Sequence, residues 1–164
     1  MTTNTIDSDT LLKAFAIMEK GKADEDGWET NPQLTTFALD DTLRITEVSP
    51  WAWTCLIRGV LGPADATGDP TTDLARYADR VEPLKDFLAV ALLYQTDYDY
   101  SADRSGSRVV IAVDVRGTCY RIERREGDDE PSMAELVNLD ADELLPIVNR
   151  IADALRGGPA QTEN

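Results

Sequence analysis

Oxygen-bearing side chains alternate along Asp97-Tyr98-Asp99-Tyr100-Ser101-Ala102-Asp103, the segment whose residue types come nearest to a site. Asp97, Asp99 and Ser101, followed by Asp103, resemble the opening of a calcium loop, where short oxygen ligands converge on a hard cation. A calcium loop also turns on a glycine at its sixth position and closes with a bidentate glutamate at its twelfth. Those positions hold Ala102 and Arg108. The segment therefore reads as a solvated loop, with a weak cation site as the alternative, and no metal or cofactor is assigned.

Three carboxylate clusters could supply acid and base groups: Asp24-Glu25-Asp26, Asp40-Asp41 and Asp128-Asp129-Glu130. A catalytic pair needs one carboxyl group in a dry pocket, with a raised pKa, and its partner kept ionised. All three clusters fall in expected turns, where water holds both groups near their ordinary values, so they read as turn chemistry and surface charge. Cys55 and Cys119 lie in apolar stretches and read as buried free thiols of a reduced compartment. Arg58 or Arg121 could lower a thiol pKa. The chain has no histidine, which removes Ser-His-Asp and Cys-His nucleophiles, histidine general bases and His-ligated metals. Arg124-Arg125 is an isolated basic pair, balanced most simply by Glu123 and Glu126.

Charge offers a different chemistry. Among 164 residues, 31 Asp and Glu outnumber 16 Lys and Arg, for a formal net charge of -15. Such a chain lacks the clustered cations that displace counterions from nucleic acid or bind anionic membranes. Its acidity fits either solubility alone or a basic protein partner, since complementary fields speed encounter and reject wrong partners. Arginine exceeds lysine 12 to 4 and aspartate exceeds glutamate 20 to 11, a bias that salt adaptation and a GC-rich genome would both produce. Aromatic anchors are available: Trp51 and Trp53 would stand about 200° apart on a helix, so one would emerge at a surface, with Tyr98 and Tyr100 in the loop nearby. An exposed tryptophan is a common interface anchor; the plainer reading is one core residue and one half-exposed neighbour.

These groups need elements to hold them. A helix is expected over about 9–20, capped by Ser8 or Asp9, with Leu11, Leu12, Phe15 and Met18 on one face and Gly21 as its stop. Residues 22–32 read as a loop. Gln33–Leu39 and 43–48 read as a hairpin around Asp40-Asp41. Ser49-Pro50 signals a helix over 51–61, followed by a loop over 63–72. A helical stretch over about 73–95 follows, kinked near Pro83, with its second half apolar on nearly all sides and therefore buried. Residues 109–113 read as a central strand covered on both faces, 119–125 as its partner and 135–139 as a short further strand. The last helix is expected over 141–156, with Asp140 and Glu143 as a capping-box pair and an inner stripe of Leu144, Val148, Ile151 and Leu155. Pro146 sits awkwardly in the early turns, which leaves a start near Leu145 as the alternative, and Gly157-Gly158 ends the helix.

This order predicts an α+β domain, an antiparallel sheet of about 4–5 strands packed with four helices. At one domain per roughly 150 residues, the expected layout is a flexible 1–8, one domain over 9–157 and a disordered tail over 158–164. The layout, size and charge resemble the type III secretion chaperone fold at the level of architecture, which implies a chaperone-like role. The polar, acidic first residues carry no signal-peptide pattern and no run approaches the ~20 apolar residues of a membrane span, so a cytoplasmic location is expected. The functional expectation is a non-enzymatic acidic module that binds a basic protein as a chaperone-like or inhibitory partner. Its sharper variant is an immunity protein or DNA mimic in which Asp97, Asp99, Asp103, Asp128, Asp129 and Glu130 stand in for phosphates. A small carboxylate-based or cation-dependent hydrolase and a self-associating subunit of a phage or secretion assembly are the rivals.

Overall fold

The computed structural model describes residues 7–26, 33–39, 44–47, 51–52, 70–95, 107–125, 128–136 and 144–158; of these, the side chains of 22–26, 46–47, 51–52, 70–71 and 136 are not described. The chain is α+β. Helices α1 (Ser8–Asp26), α2 (Pro70–Ala78) and α3 (Leu145–Arg156) accompany strands β1 (Gln33–Leu39), β2 (Ile45–Glu47), β3 (Trp51–Ala52), β4 (Phe87–Gln95), β5 (Ser107–Asp114), β6 (Cys119–Arg125) and β7 (Ser132–Leu136). Five longer strands form one antiparallel sheet in the order β1-β4-β5-β6-β7, with β2 and β3 both paired to the outer edge of β1. The expected four helices become three among the described residues.

The sheet has two apolar faces because its central strands are buried on both sides. Val109, Ile111 and Val113 of β5 join Val90 and Leu92 of β4 on one face, under Leu145, Val148, Ile151 and Leu155 of α3 and Leu74 and Tyr77 of α2. Val110 and Ala112 of β5 join Ala91 and Leu93 of β4, Phe37 of β1 and Ile122 of β6 on the opposite face, under Leu11, Phe15 and Met18 of α1. Successive side chains of a strand point to opposite faces, so a strand covered on both must be apolar throughout, as the expected central strand at β5 is.

That same rule explains the main correction. Residues 87–95 form β4, not the second half of a buried helix. Phe-Leu-Ala-Val-Ala-Leu-Leu-Tyr carries no period, and an apolar run reads alike for a buried helix and a doubly covered strand. Pairing with β1 on one side and β5 on the other decides the matter, overriding the helix propensity of its Ala and Leu residues. The first half of the expected helix is real, ending at Ala78. The stretch expected as helix from Trp51 instead starts as β3, with Leu34 opposite Trp51; the rest of it lies outside the described residues.

Helix ends also differ in detail. The cap of α1 is Asp7, whose carboxylate accepts from the Thr10 amide at 2.8 Å and hydroxyl at 2.7 Å. Those two bonds hold the exposed Asp7 carboxyl below its ordinary range. The helix then runs through Gly21 to Asp26, so Asp24-Glu25-Asp26 ends a helix and does not occupy a loop. Helix α3 starts at Leu145, as Pro146 suggests, with Leu144 at its N-cap and no side-chain cap bond. Its stop is Gly157, in the left-handed region at φ 89°, where a β-carbon would be strained.

Candidate partner-binding groove

Four positions after Phe15, the apolar stripe of α1 delivers a carboxylate, Glu19, into the same interface. A buried charge must find partners, and the sheet provides two. Arg108 on β5 and Arg124 on β6 sit opposite each other in register. The Arg108 Nε lies 3.3 Å from Glu19 Oε1, and its Nη2 donates to the Glu19 carbonyl at 3.3 Å. Arg124 Nε donates to both carboxylate oxygens at 3.1 and 3.0 Å. Glu19 is 1% exposed and Arg108 0%. Arg124 thus takes the helix carboxylate, while its expected partner Glu123 pairs with Arg121 at 2.6 Å. That bond, followed by one from Ser107, holds the Glu123 carboxyl below its ordinary value.

Near the N-terminus of α1, the buried Asp114 organises the turn between β5 and β6. It accepts from the Arg116 amide at 2.8 Å, the Thr118 amide at 3.0 Å, the Arg116 guanidinium at 3.0 Å and the Tyr120 hydroxyl at 2.6 Å. Burial, then the bond to Asp114, pushes Tyr120 up to about 12. Ser8 lies 3.1 Å from the same hydroxyl. Helix α1 is thus tied to the sheet by polar contacts at Ser8, its first residue, and at Glu19, past its middle, with the Phe15 ring packed against Phe37 and Tyr120 at 5.4 and 5.5 Å in between.

Between α1 and β7 the cover is incomplete. A groove of ≈ 380 Å³ opens there, with Ala16, Ile17, Pro131 and Met133 supplying apolar surface. Ile17 is 72% exposed and Met133 46%, the exposed large hydrophobic residues among those described. Lys13 and Lys20 of α1 border the groove on one side; Asp129 and Glu130, in the turn before β7, border it on the other. Arg124 reaches it from beneath, its Nη1 donating to the Asp128 carbonyl at 3.2 Å. Beyond that turn, Glu123, Arg125, Asp128 and Ser132 line a second, polar hollow.

Among the residues expected to carry function, Asp129 and Glu130 are brought, exposed, to the groove, while Asp128, exposed in the same turn, lines the polar hollow beyond it. Trp51 is in β3, and nothing places its side chain there. Trp53, Tyr98, Tyr100 and the candidate cation ligands Asp97, Asp99, Ser101 and Asp103 lie outside the described residues, as do Asp40, Asp41 and Cys55. Cys119 is a buried free thiol, pushed up by burial and then by the Asp114 charge, which opposes thiolate formation. The described residues hold no cluster of three metal-ligating side chains and no helix long and apolar enough to cross a membrane. Sequence reasoning missed Glu19, Arg108, Lys13, Ile17 and Met133. A signal existed for Glu19, a carboxylate in line with Leu11 and Phe15 on an apolar helix face. No protein-family model, curated protein or solved structure matches the chain.

Proposed function

We propose that this chain is a non-enzymatic protein-binding module, that its net charge of -15 selects a basic partner, and that the groove between α1 and β7 is its docking face. The observation carrying this reading is the pairing of Ile17 and Met133, exposed across one groove, with the exposed carboxylates of Asp129 and Glu130 at its border and Asp128 next to them in the same turn. An apolar centre with a charged rim is the anatomy of a protein interface. Long-range attraction brings the partner in, and burial of the apolar pair holds it. The partner's class, whether a secreted substrate, a nuclease or another basic protein, follows from its identity once captured.

The test is affinity capture from the source lysate with three baits: the native chain, Ile17→Asp/Met133→Asp, and Asp128→Asn/Asp129→Asn/Glu130→Gln. A stoichiometric basic protein should be held by the native chain at about 0.1 M salt, released near 1 M, where screening shortens to roughly 3 Å, and lost with the Ile17/Met133 bait. The carboxylate bait should release it at lower salt. A partner held equally by all three baits, or indifferent to salt, overturns the reading, as does the absence of any stoichiometric partner.

A further inference from the structure

The two outer edges of the sheet are treated differently. The outer edge of β1 is covered at both ends, by β2 opposite Phe37–Leu39 and by β3 opposite Gln33 and Leu34. No strand lies beyond β7 among the described residues. Its Ser132, Met133, Ala134 and Glu135 are exposed, and it carries no lysine, proline or bulge of the kind that usually blunts an open edge. An open edge offers main-chain donors and acceptors to an added strand, with side-chain pockets giving specificity.

Here the pocket is the groove, and its charges are particular. Three of the four lysines of this acidic chain, Lys13, Lys20 and Lys22, fall in α1. Lys13, Ile17 and Lys20 succeed one another at helical spacing along the groove, cation, apolar residue, cation. Seven residues of helix place Lys13 and Lys20 about 10 Å apart. Side chains two residues either side of a strand's central residue share its face and span about 13 Å, a match within the reach of two lysine side chains.

We infer that β7 accepts an extended segment of a partner protein as an added strand, with one apolar side chain seated between Ile17 and Met133 and carboxylates two residues before and after it facing Lys13 and Lys20. This rests on the protein-binding reading and adds to it the recognised motif, acid-x-apolar-x-acid. The motif is local. The field of the whole chain still favours a basic body, and Asp129 and Glu130, across the groove from the lysines, are open to a basic residue of the partner outside the lysine-matched segment.

The experiment selects from a displayed library of random twelve-residue peptides on the full chain and on Lys13→Glu/Lys20→Glu, two exposed positions whose replacement spares the core. Enriched peptides are then synthesised and used as the probe in hydrogen-exchange mass spectrometry. The native chain should enrich acid-x-apolar-x-acid. The charge-reversed chain should bind those peptides about tenfold more weakly, a change of roughly 1.4 kcal/mol, and should enrich basic pairs at the same spacing. Bound peptide should slow exchange across Ser132–Leu136. Peptides lacking the acid pair, or slowing exchange in α1 and not in β7, overturn strand addition while leaving the groove a protein-binding face. Failure to enrich any peptide overturns strand addition by itself; the wider reading then stands or falls on lysate capture.

Discussion

The two faces of the sheet are built on different principles. Under α2 and α3 the packing is mainly apolar, with Ile111, Val113, Leu145, Val148 and Ile151 each essentially excluded from solvent, although Asp73 of α2 is buried as well. Under α1 the apolar contacts of Leu11, Phe15 and Met18 are flanked by two buried charged groups, Glu19 with its arginines and Asp114 with Tyr120. The first face is a sealed core. On the second, a helix is pinned by directional bonds at Ser8 and at Glu19, and this is the side on which exposed apolar residues collect. Burial without direction tolerates sliding; a carboxylate gripped by two guanidinium groups does not. The α1 face therefore fixes where Lys13, Ile17 and Lys20 stand along the groove beside β7.

The sharpest way to break this comparison is to remove Glu19. Glu19→Ala takes the carboxylate from two guanidinium groups of which one is wholly buried, and should cost about 3–5 kcal/mol, read as a denaturation midpoint. Adding Arg108→Met and Arg124→Met should restore most of it, because an apolar replacement leaves no charge behind. A Glu19→Ala cost below about 1 kcal/mol would mean that α1 is held by its apolar stripe alone. On the sealed face, Ile151→Ala should cost about 2–5 kcal/mol through lost burial and a cavity, with no change in the pH profile.

Tyr120→Phe ranks next. It removes the donor 2.6 Å from buried Asp114 and should cost about 1–3 kcal/mol. Its pH signature separates it from a packing change. The folded state holds the Tyr120 proton more tightly than the unfolded chain, about 12 against the ordinary 10.0. That contribution is complete below pH 10 and is lost as pH rises through 12. The alkaline fall in melting temperature should become shallower in the phenylalanine variant. The smallest expected effect on stability belongs to Ile17→Ser and Met133→Ser, within about 0.5 kcal/mol because both side chains are exposed, although partner capture should be lost. A large destabilisation by either would make them core residues and remove them from the interface.

Much of the sealed face was legible from sequence. β1 is read to its residue bounds from Thr and Phe between turn signals, β5 from five consecutive apolar residues, and the stop of α3 from Gly157, because each depends on neighbours along the chain; the expected start of α3 near 141 gives way to Leu145, the alternative that Pro146 offers. β4 was not legible, since what makes 87–95 a strand is hydrogen bonding to β1 and β5, more than ten residues away on either side. The α1 face was harder still. Glu19 meets Arg108 across 89 positions and Arg124 across 105, and no local pattern in Arg124-Arg125 distinguishes a buried guanidinium from a solvated one. Asp128, Asp129 and Glu130 were picked out for their charge alone; that Asp129 and Glu130 border an apolar groove is a fact of topology.

The strand order also has a kinetic consequence. β4, β5, β6 and β7 are neighbours in sequence as well as in space, so their ladder needs only short loop closures. β1 pairs with β4 across the chain between Leu39 and Phe87, and closing a long loop costs entropy before any contact repays it. The four-strand meander should therefore assemble first and β1 should dock late. Weakening β1, by Leu34→Ala for example, should then accelerate unfolding while leaving the refolding rate nearly unchanged.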